Sequence, residues 1–280
     1  MQEIDFEKEW NTMYEERERT IKRKDTGIVV WDKAAKRFSE SRKLNDYEYG
    51  RKVAETLNDV ITTESEVLEI GAGPGTLVIP FARKVMKVVA VEPSKGMTEY
   101  LRTNADEAKI GNFEIIPKKW EDIDLCGIAG RFDLVISTTV AWMFRDIWPF
   151  LEQMETASKG YCCLIEGIGG YREGRFDELW QKVTGKDYSE YSRTYPEPNL
   201  FYNILYNRGR YADVRIISYS TQRPVDSWIT FMEDFFESYT EMTPEIRKII
   251  KEHATENAED GMIGSENRSA VVWWKSKSQR

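Results

Sequence analysis

Short apolar runs alternate with helical stretches between residues 67 and 166, and this alternation constrains the fold more than any other feature of the sequence. The runs are rich in valine and isoleucine and lack an alternation of polar with apolar residues, as expected for strands covered on both faces. This order of elements predicts an α/β fold, a doubly wound and mostly parallel sheet with crossover helices on both faces. The predicted strands are residues 67–70, 85–91, 113–116, 132–137 and 161–166, and the predicted helices are residues 76–84, 94–108 and 147–157.

The rest of the chain is predicted to extend this sheet domain rather than to form a second one. Residues 1–60 space their apolar side chains as helices do and are predicted to form an N-terminal helical extension or lid. Residues 61–280 form the predicted sheet domain, in which residues 214–219 and 270–274 supply a sixth and a seventh strand. Helical cap insertions are predicted at about residues 171–210 and 225–258.

Charge and hydropathy argue against several kinds of partner, and a protein or nucleic-acid acceptor has no supporting feature. The chain has a net charge of −8, whereas nucleic-acid-binding surfaces are basic, so we expect no nucleic-acid partner. The local basic cluster at residues 17–24 alternates in sign with helical spacing and is interpreted as a solvated helix face. Residues 1–7 lack the apolar segment of a secretory signal, and no run of about 18 apolar residues occurs, so we expect a cytoplasmic protein without a membrane partner.

Residue types that commonly bind metals or act as general bases are few. The three cysteines, Cys126, Cys162 and Cys163, lack the spacing of a zinc site, so no metal is expected. Cys162 and Cys163 lie in a predicted strand and are expected to pack as small apolar side chains. His253 is the only histidine; its charged helical surroundings predict an exposed side chain without a catalytic role.

Residues 69–76 read EIGAGPGT, directly after the first predicted strand. Glycine adopts positive φ angles and has no Cβ, so a ligand can lie directly against such a turn. The second strand ends in Glu92, 21 residues after Gly71, where an acid can bind the two hydroxyls of a ribose. The turn, the following helix, the second strand and this acid together predict a cofactor that contains adenosine.

Two such cofactors, NAD(H) and S-adenosyl-L-methionine, fit this arrangement to different degrees. The dinucleotide fingerprint requires a small residue at position 76, where Thr76 stands, and the third glycine comes one residue early at Gly75. Glu69 also brings a carboxylate to the turn, which would repel a pyrophosphate but attract the ammonium group of a methionine moiety. The residues therefore favour S-adenosyl-L-methionine, and an NAD(P)-dependent oxidoreductase remains the alternative.

Residues 69–75 resemble the first signature motif of class I S-adenosylmethionine-dependent methyltransferases, and residues 91–94 with Met97 resemble the second. Residues 132–137 are similar to the fourth-strand motif, residues 270–274 to the reversed seventh strand, and residues 31–38 to a helix that closes over the cofactor in many small-molecule members. The resemblance implies a seven-stranded Rossmann-like methyltransferase fold. The predicted cofactor-binding residues are Glu69, Gly71, Ala72, Gly73, Gly75, Thr76, Glu92, Pro93, Ser94, Met97, Trp120, Glu121, Ser137 and Trp31.

The sequence departs from the family pattern where the adenine edge is read. The family usually has an Asp-Ala-type pair at residues 119–123, but Lys119 occupies the position of the acid. The resemblance therefore implies that Glu121 or the backbone meets the adenine amino group, while Trp120 stacks on the ring.

The acceptor side is less constrained by the sequence. Ligands of doubly wound folds bind beyond the carboxyl ends of the strands, which places candidate residues after the fourth and fifth strands. Glu166 is a candidate general base or acceptor-orienting group, with a structural hydrogen-bonding role as the alternative. The candidate substrate-binding residues are Thr138, Trp142, Tyr171, Tyr202 and Tyr206; the tyrosines after residue 188 are alternatively a stripe that packs under a cap.

The sequence thus predicts a methyltransferase that uses S-adenosyl-L-methionine, yields S-adenosyl-L-homocysteine and methylates a small-molecule acceptor. The NPPY-type motif is absent at residues 137–140, which disfavours methylation of DNA or glutamine nitrogen by resemblance. A non-catalytic S-adenosylmethionine-binding protein is the other alternative. The apolar spacing within residues 228–236 predicts either cap packing or a dimer interface, so we expect a monomer or a homodimer.

Overall fold

The central element is a seven-stranded sheet with the strand order β3-β2-β1-β4-β5-β7-β6. The structure is a computed structural model, and it describes residues 4–21, 27–169 and 175–277. The strands β1 to β5 are parallel, and β7 runs antiparallel between β5 and β6. The strand bounds are β1 Glu66–Ile70, β2 Lys87–Val91, β3 Phe113–Ile116, β4 Phe132–Thr138, β5 Ser158–Gly167, β6 Asp213–Pro224 and β7 Met262–Lys275. This topology confirms the predicted fold class.

Helices cover both faces of the sheet, because the inner strands are apolar on both sides. One face packs against α1, α6 and α9, and the other packs against α3, α4 and α5. In the described part of the chain the helices are α1 Phe6–Thr20, α2 Ile28–Leu44, α3 Glu48–Thr56, α4 Val78–Ala82, α5 Lys95–Glu107, α6 Ile147–Ala157, α7 Phe176–Thr184, α8 Tyr188–Ser192, α9 Pro198–Asn207, α10 Val225–Phe236 and α11 Pro244–Glu256.

Most predicted element bounds agree with the structure to within a few residues, with two differences. The helix predicted over residues 76–84 is only the five-residue α4, because a run of turns occupies residues 73–77. The last two strands are longer than predicted, because a ribbon of paired polar residues continues the antiparallel pair. In this ribbon Ser220 donates to Glu266 and Asn267 donates to Thr221.

The two adjacent cysteines lie on opposite faces of β5. Cys162 packs in the cluster shared with α1, α6 and α9, and Cys163 packs in the opposite cluster. Burial raises the pKa of both thiols, so they remain protonated. The packing role predicted for this pair is confirmed.

A third apolar cluster joins α7, α8, α10 and α11. It is dense in aromatic rings: Phe176, for example, lies 5.1 Å from Phe235 and 5.9 Å from Phe236 between ring centroids. The helix α9, in contrast, packs on the sheet through Phe201 and Leu205. The predicted division of the chain into an extension, a domain and cap insertions stays a prediction.

The predicted exposure of His253 is wrong. Its side chain is only 1% exposed, its ring stacks on Trp228, and its Nδ1 lies 3.5 Å from Lys182 Nζ. The helix α11 turns Ile250, His253 and Ala254 into this third cluster, so the charged neighbours that suggested exposure lie on its other face.

Candidate cofactor and acceptor site

The glycine turn lies at the carboxyl edge of the sheet, between β1 and α4, where β1 meets β4 on one side and β2 on the other. This is the point at which the strand order reverses, and ligands of doubly wound folds bind there. Gly71, Gly73 and Gly75 have φ angles of 74°, 53° and 94°. A Cβ on Gly71 would lie 2.5 Å from Val140 Cγ2, so the turn and the loop after β4 are in direct contact.

The space beside Gly73 is open, as close approach by a ligand requires. The nearest atom to a Cβ built there is the sulfur of Met97, at 3.9 Å. Ala72 and Thr76 are buried within the turn. The predicted contacts of these turn residues with the cofactor are compatible with this geometry and stay predictions.

Glu92 joins the two signature motifs, because it follows β2 and reaches back to the glycine turn. Its Oε2 accepts the N–H of Gly73 at 2.8 Å, and its Oε1 accepts the N–H of Ser94 at 2.9 Å. Burial raises the pKa of the Glu92 carboxyl, and these two N–H groups oppose the rise. A carboxylate held in this way presents its remaining lone pairs to a ligand above the turn, as binding of ribose hydroxyls requires.

Glu69 is a buried carboxyl group with no cationic partner among the described residues. Neither of its oxygens has a hydrogen-bond partner of ordinary geometry among the described residues. Burial raises the pKa of Glu69 well above its usual range and the nearby Glu92 carboxylate adds to the rise, while the N–H of Val78 opposes it. An unpaired buried carboxyl at this turn fits a cationic group of a ligand, such as the ammonium of S-adenosyl-L-methionine.

Asp32 lies on α2 beside the predicted residue Trp31 but was not itself predicted as a site residue. Asp32 Oδ1 accepts the hydroxyl of Ser94 at 2.6 Å and the N–H of Gly96 at 2.8 Å. These two bonds hold the pKa of Asp32 below its usual value. Trp31 itself is partly exposed and packs edge-on against Phe38. Asp32 thus attaches α2 to the second motif. It is one of many polar residues on α2, so the sequence does not distinguish it.

The remaining predicted cofactor residues lie around the same edge. Trp120 is buried, and its Nε1 has no hydrogen-bond partner among the described residues. Glu121 follows it but is exposed. Ser137 is buried and donates to the carbonyl of Ile70 at 3.3 Å. Pro93 is partly exposed, so the roles of these four residues stay predictions.

On the acceptor side, the ends of β4 and β5 carry a second set of buried polar groups. Thr138 shares a hydrogen bond with the hydroxyl of Tyr49, a residue of α3 that was not predicted as a site residue. Glu166 is 7% exposed, and its Oε1 has no hydrogen-bond partner among the described residues. Burial raises the pKa of Glu166 to about 8, against the opposing effects of the Ala141 N–H and of Arg17.

Arg17 is buried against the residues that follow β4, which corrects the prediction of a solvated helix face at this position. It is 2% exposed and donates to the carbonyl oxygens of Trp142 and Thr194. Its guanidinium carbon lies 5.1 Å from the ring centroids of Tyr14 and Trp142 and 5.3 Å from that of Tyr195. The signal was available, because position 17 continues the apolar stripe of α1. Residues 22–24 of the basic cluster lie outside the described residues.

The three candidate tyrosines of the acceptor site have different outcomes. Tyr171 lies outside the described residues. Tyr202 is partly buried and packs against the cluster on one face of the sheet, and its predicted substrate contact stays a prediction. Tyr206 is 54% exposed and packs edge-on against Tyr211 at the end of α9, near the opposite edge of the sheet. The structure does not bring Tyr206 to the site.

Other kinds of site are not evident in the described ranges. Among these residues, no three His, Cys, Asp or Glu side chains come together as metal ligands would. None of the described helices combines the length and apolar character that crossing a membrane requires.

Residues 67–159 match a protein-family model described as a methyltransferase domain. A stretch of 94 residues is 29% identical to an uncharacterized protein of Haemophilus influenzae and covers 34% of each chain. A stretch of 80 residues is 36% identical to a protein of Methanosphaera stadtmanae provisionally named ribosomal RNA small subunit methyltransferase A, covering 29% of this chain and 28% of that one. The matched stretches thus span about a third of the length of these curated relatives.

Solved structures with the same fold include proteins provisionally assigned as methyltransferases. One from Bacillus halodurans is 16% identical, with a TM-score of 0.53, over 80% of this chain and 98% of that one. One from Methanococcus maripaludis, described as S-adenosyl-L-methionine-dependent, is 22% identical, with a TM-score of 0.52, over 70% of this chain and 92% of that one. These likenesses confirm the predicted methyltransferase fold, and the domain match supports S-adenosyl-L-methionine as the cofactor over the nicotinamide alternative.

Proposed function

We propose that this chain transfers a methyl group from S-adenosyl-L-methionine to a small-molecule acceptor. The observation that carries the proposal is the pair of buried carboxylates at the glycine turn, Glu69 and Glu92. Glu92 is held by backbone N–H groups where a ribose would bind. Glu69 has no side-chain partner among the described residues, at a position where a cation would compensate it. This donor set fits a nucleoside that carries an ammonium group rather than one that carries a pyrophosphate.

When bound, the cofactor supplies a methyl group on a positively charged sulfur. Glu92 would bind the ribose hydroxyls, Glu69 would bind the amino acid ammonium, and the open backbone at Gly73 would admit the ligand. Asp32 would hold α2 against the second motif and so exclude water from the adenosine side. Alignment of the nucleophile with the methyl group and exclusion of water are the main requirements of such a displacement.

A small acceptor is favoured by the acceptor side of the site and by charge. Thr138 and Glu166 are buried, and α1 covers the loop after β4 through Arg17 and through Trp10, whose Nε1 donates to the carbonyl of Phe144. The net charge of −8 disfavours a polyanionic acceptor. The ribosomal RNA methyltransferase named above shares only about a third of its length with this chain, so its acceptor class is a poor guide here.

Calorimetric titration with S-adenosyl-L-homocysteine tests the cofactor part of the proposal. The wild-type protein should bind it, and Glu69→Gln should weaken binding about 10- to 100-fold, because a charge-assisted contact is lost. Glu152→Gln, an exposed change on α6, is the matched control and should bind as the wild type does. Binding of NADH with no response to S-adenosyl-L-homocysteine would refute the proposal.

The acceptor class is tested with methyl-labelled cofactor and two fractions of a cell extract, dialysable metabolites and purified RNA. We expect labelled product in the metabolite fraction. Label that enters RNA alone would show that the acceptor part of the proposal is wrong, while the cofactor part would stand.

A further inference from the structure

Glu166 is a buried carboxylate that the described residues satisfy only in part. It is the penultimate residue of β5 and lies on the sheet face that packs against α1, the same face as Cys162 and Leu164. Its Oε1 is buried and has no hydrogen-bond partner among the described residues. A buried polar atom without a partner costs free energy, about 1–3 kcal/mol for a neutral group and more for a charged one. Glu166 has this unfavourable burial at the carboxyl edge of the sheet, where ligands of doubly wound folds bind.

The loop after β4 connects Glu166 to the glycine turn, where the cofactor is proposed to bind. Val140 touches Gly71 of the glycine turn so closely that a Cβ on that glycine would overlap it. The next residue, Ala141, directs its N–H towards Glu166 and favours the charged form of the carboxyl. Glu166 is therefore joined to the cofactor turn through one loop, and the neighbouring strand β4 ends between them.

Among the described residues, Arg17 of α1 and Tyr49 of α3 interact electrostatically with Glu166. Arg17 of α1 favours the ionised form of Glu166. The guanidinium of Arg17 is bound by two carbonyl oxygens and three rings, so its charge stays fixed near the carboxyl. Burial raises the pKa of the Tyr49 hydroxyl well above its usual range, and the charge of Glu166 adds to this rise. The hydroxyl therefore remains neutral.

We propose that Glu166 accepts the proton of the methyl acceptor, which therefore binds as a proton-bearing nucleophile, a hydroxyl or an ammonium group. This inference rests on the proposed function. In the step, the nucleophile donates a lone pair to the methyl carbon, and the carbon–sulfur bond breaks with its electron pair moving to sulfur. A hydroxyl acceptor passes its proton to the carboxylate of Glu166 as the bond to carbon forms. An ammonium acceptor has no lone pair, so it first passes a proton to Glu166 and then attacks as the amine. The products are the methylated acceptor, neutral thioether and a protonated Glu166, so charge and atoms balance.

The environment of Glu166 suits this role. A general base works best when its pKa lies near the working pH, and burial brings the pKa of Glu166 to about 8. A thiolate or carboxylate acceptor would gain nothing from such a base and would be repelled by its ionised form. The unpartnered Oε1 is the atom that would take up the proton of the acceptor.

The experiment compares wild type, Glu166→Gln and the matched control Glu152→Gln. The probe is methyl-labelled S-adenosyl-L-methionine with the dialysable metabolite fraction of a cell extract, assayed between pH 6 and pH 10. For Glu166→Gln we expect kcat to fall about 100- to 10,000-fold and affinity for S-adenosyl-L-homocysteine to change less than about twofold. The wild-type rate should rise with pH through about 8, and this limb should be absent from the residual activity of the variant.

Several outcomes overturn the inference, and they separate it from the proposed function. A Glu166→Gln protein that keeps more than about a tenth of the wild-type kcat, or keeps the pH limb, overturns it. So does a wild-type protein that binds S-adenosyl-L-homocysteine but labels no metabolite, and such a protein would be a cofactor-binding protein only. Failure of the wild type to bind S-adenosyl-L-homocysteine overturns the proposed function itself. Thermal unfolding of each variant identifies a loss of activity that comes from misfolding.

Discussion

Two carboxylates at opposite edges of the sheet are buried to the same extent but have different surroundings. Glu155, 6% exposed at the amino edge, accepts three hydrogen bonds: two from Arg210 at 2.9 and 2.7 Å, and one from Trp274 Nε1 at 3.0 Å. Glu166, 7% exposed at the carboxyl edge, has an oxygen without a partner among the described residues. Burial alone therefore does not distinguish Glu155 from Glu166, the acid for which we propose a catalytic role. The difference is whether the surrounding residues satisfy the charge.

At the amino edge, loss of the cationic partner of Glu155 should lower the free energy of unfolding strongly. Arg210→Met removes the guanidinium and leaves Glu155 charged and buried with only the indole N–H of Trp274. We expect the free energy of unfolding to fall by about 3–5 kcal/mol, because an uncompensated buried charge is costly. Urea unfolding measures this loss. A loss below about 1 kcal/mol would show that the pair is no more than a surface-type ion pair.

The carboxyl edge should respond to pH instead. Because the pKa of Glu166 is raised to about 8, its contribution to stability is complete below its unfolded pKa of about 4.5 and is lost as pH rises through 8. Glu166→Gln lacks this titration, so its stability relative to wild type should grow by about 2–4 kcal/mol between pH 5 and pH 9. The free-energy cost of burying the glutamine amide does not depend on pH, so it cancels when the stabilities at pH 5 and pH 9 are compared. Parallel unfolding curves at all pH values would contradict the expectation.

A contact at the rim of the site should have the smallest effect. Asp32→Ala removes the side chain that accepts two hydrogen bonds at the start of α5. Removal of an acceptor at a helix N-terminus costs about 1 kcal/mol, so a small loss of stability is expected. Because α2 would then be attached less firmly, binding of S-adenosyl-L-homocysteine should also weaken a few-fold. Glu40→Ala on the exposed face of α2 is the control and should change neither quantity.

The sheet and the glycine turn could be predicted from the sequence more closely than the surroundings of the buried acids. The valine-rich and isoleucine-rich strands β1 to β5 were predicted closely, because a strand covered on both faces leaves a local signal. The glycine turn and Glu92 were predicted for the same reason, since both belong to one continuous strand–turn–helix unit.

The partners that complete the site were not predictable in this way. Arg17, Asp32 and Tyr49 come from helices far from the signature motifs in sequence, and only tertiary packing brings them to the sheet edge. The carboxyl of Glu166 was identified from its position after a strand, but nothing in the sequence distinguishes its unpaired state from the paired state of Glu155. That distinction depends on Arg210 and Trp274, which are distant in sequence from both acids.

The strand β7 has a consequence for how this protein is synthesised. Ala270 pairs with Glu166 on one side and with Ile216 on the other, so β7 separates β5 from β6. A growing chain can pair β1 to β5 early, but the outer edge of β5 stays open until roughly a hundred further residues have left the ribosome. An open edge next to apolar strands is prone to pair with other chains. The nascent protein is therefore expected to need protection at this edge until β7 inserts.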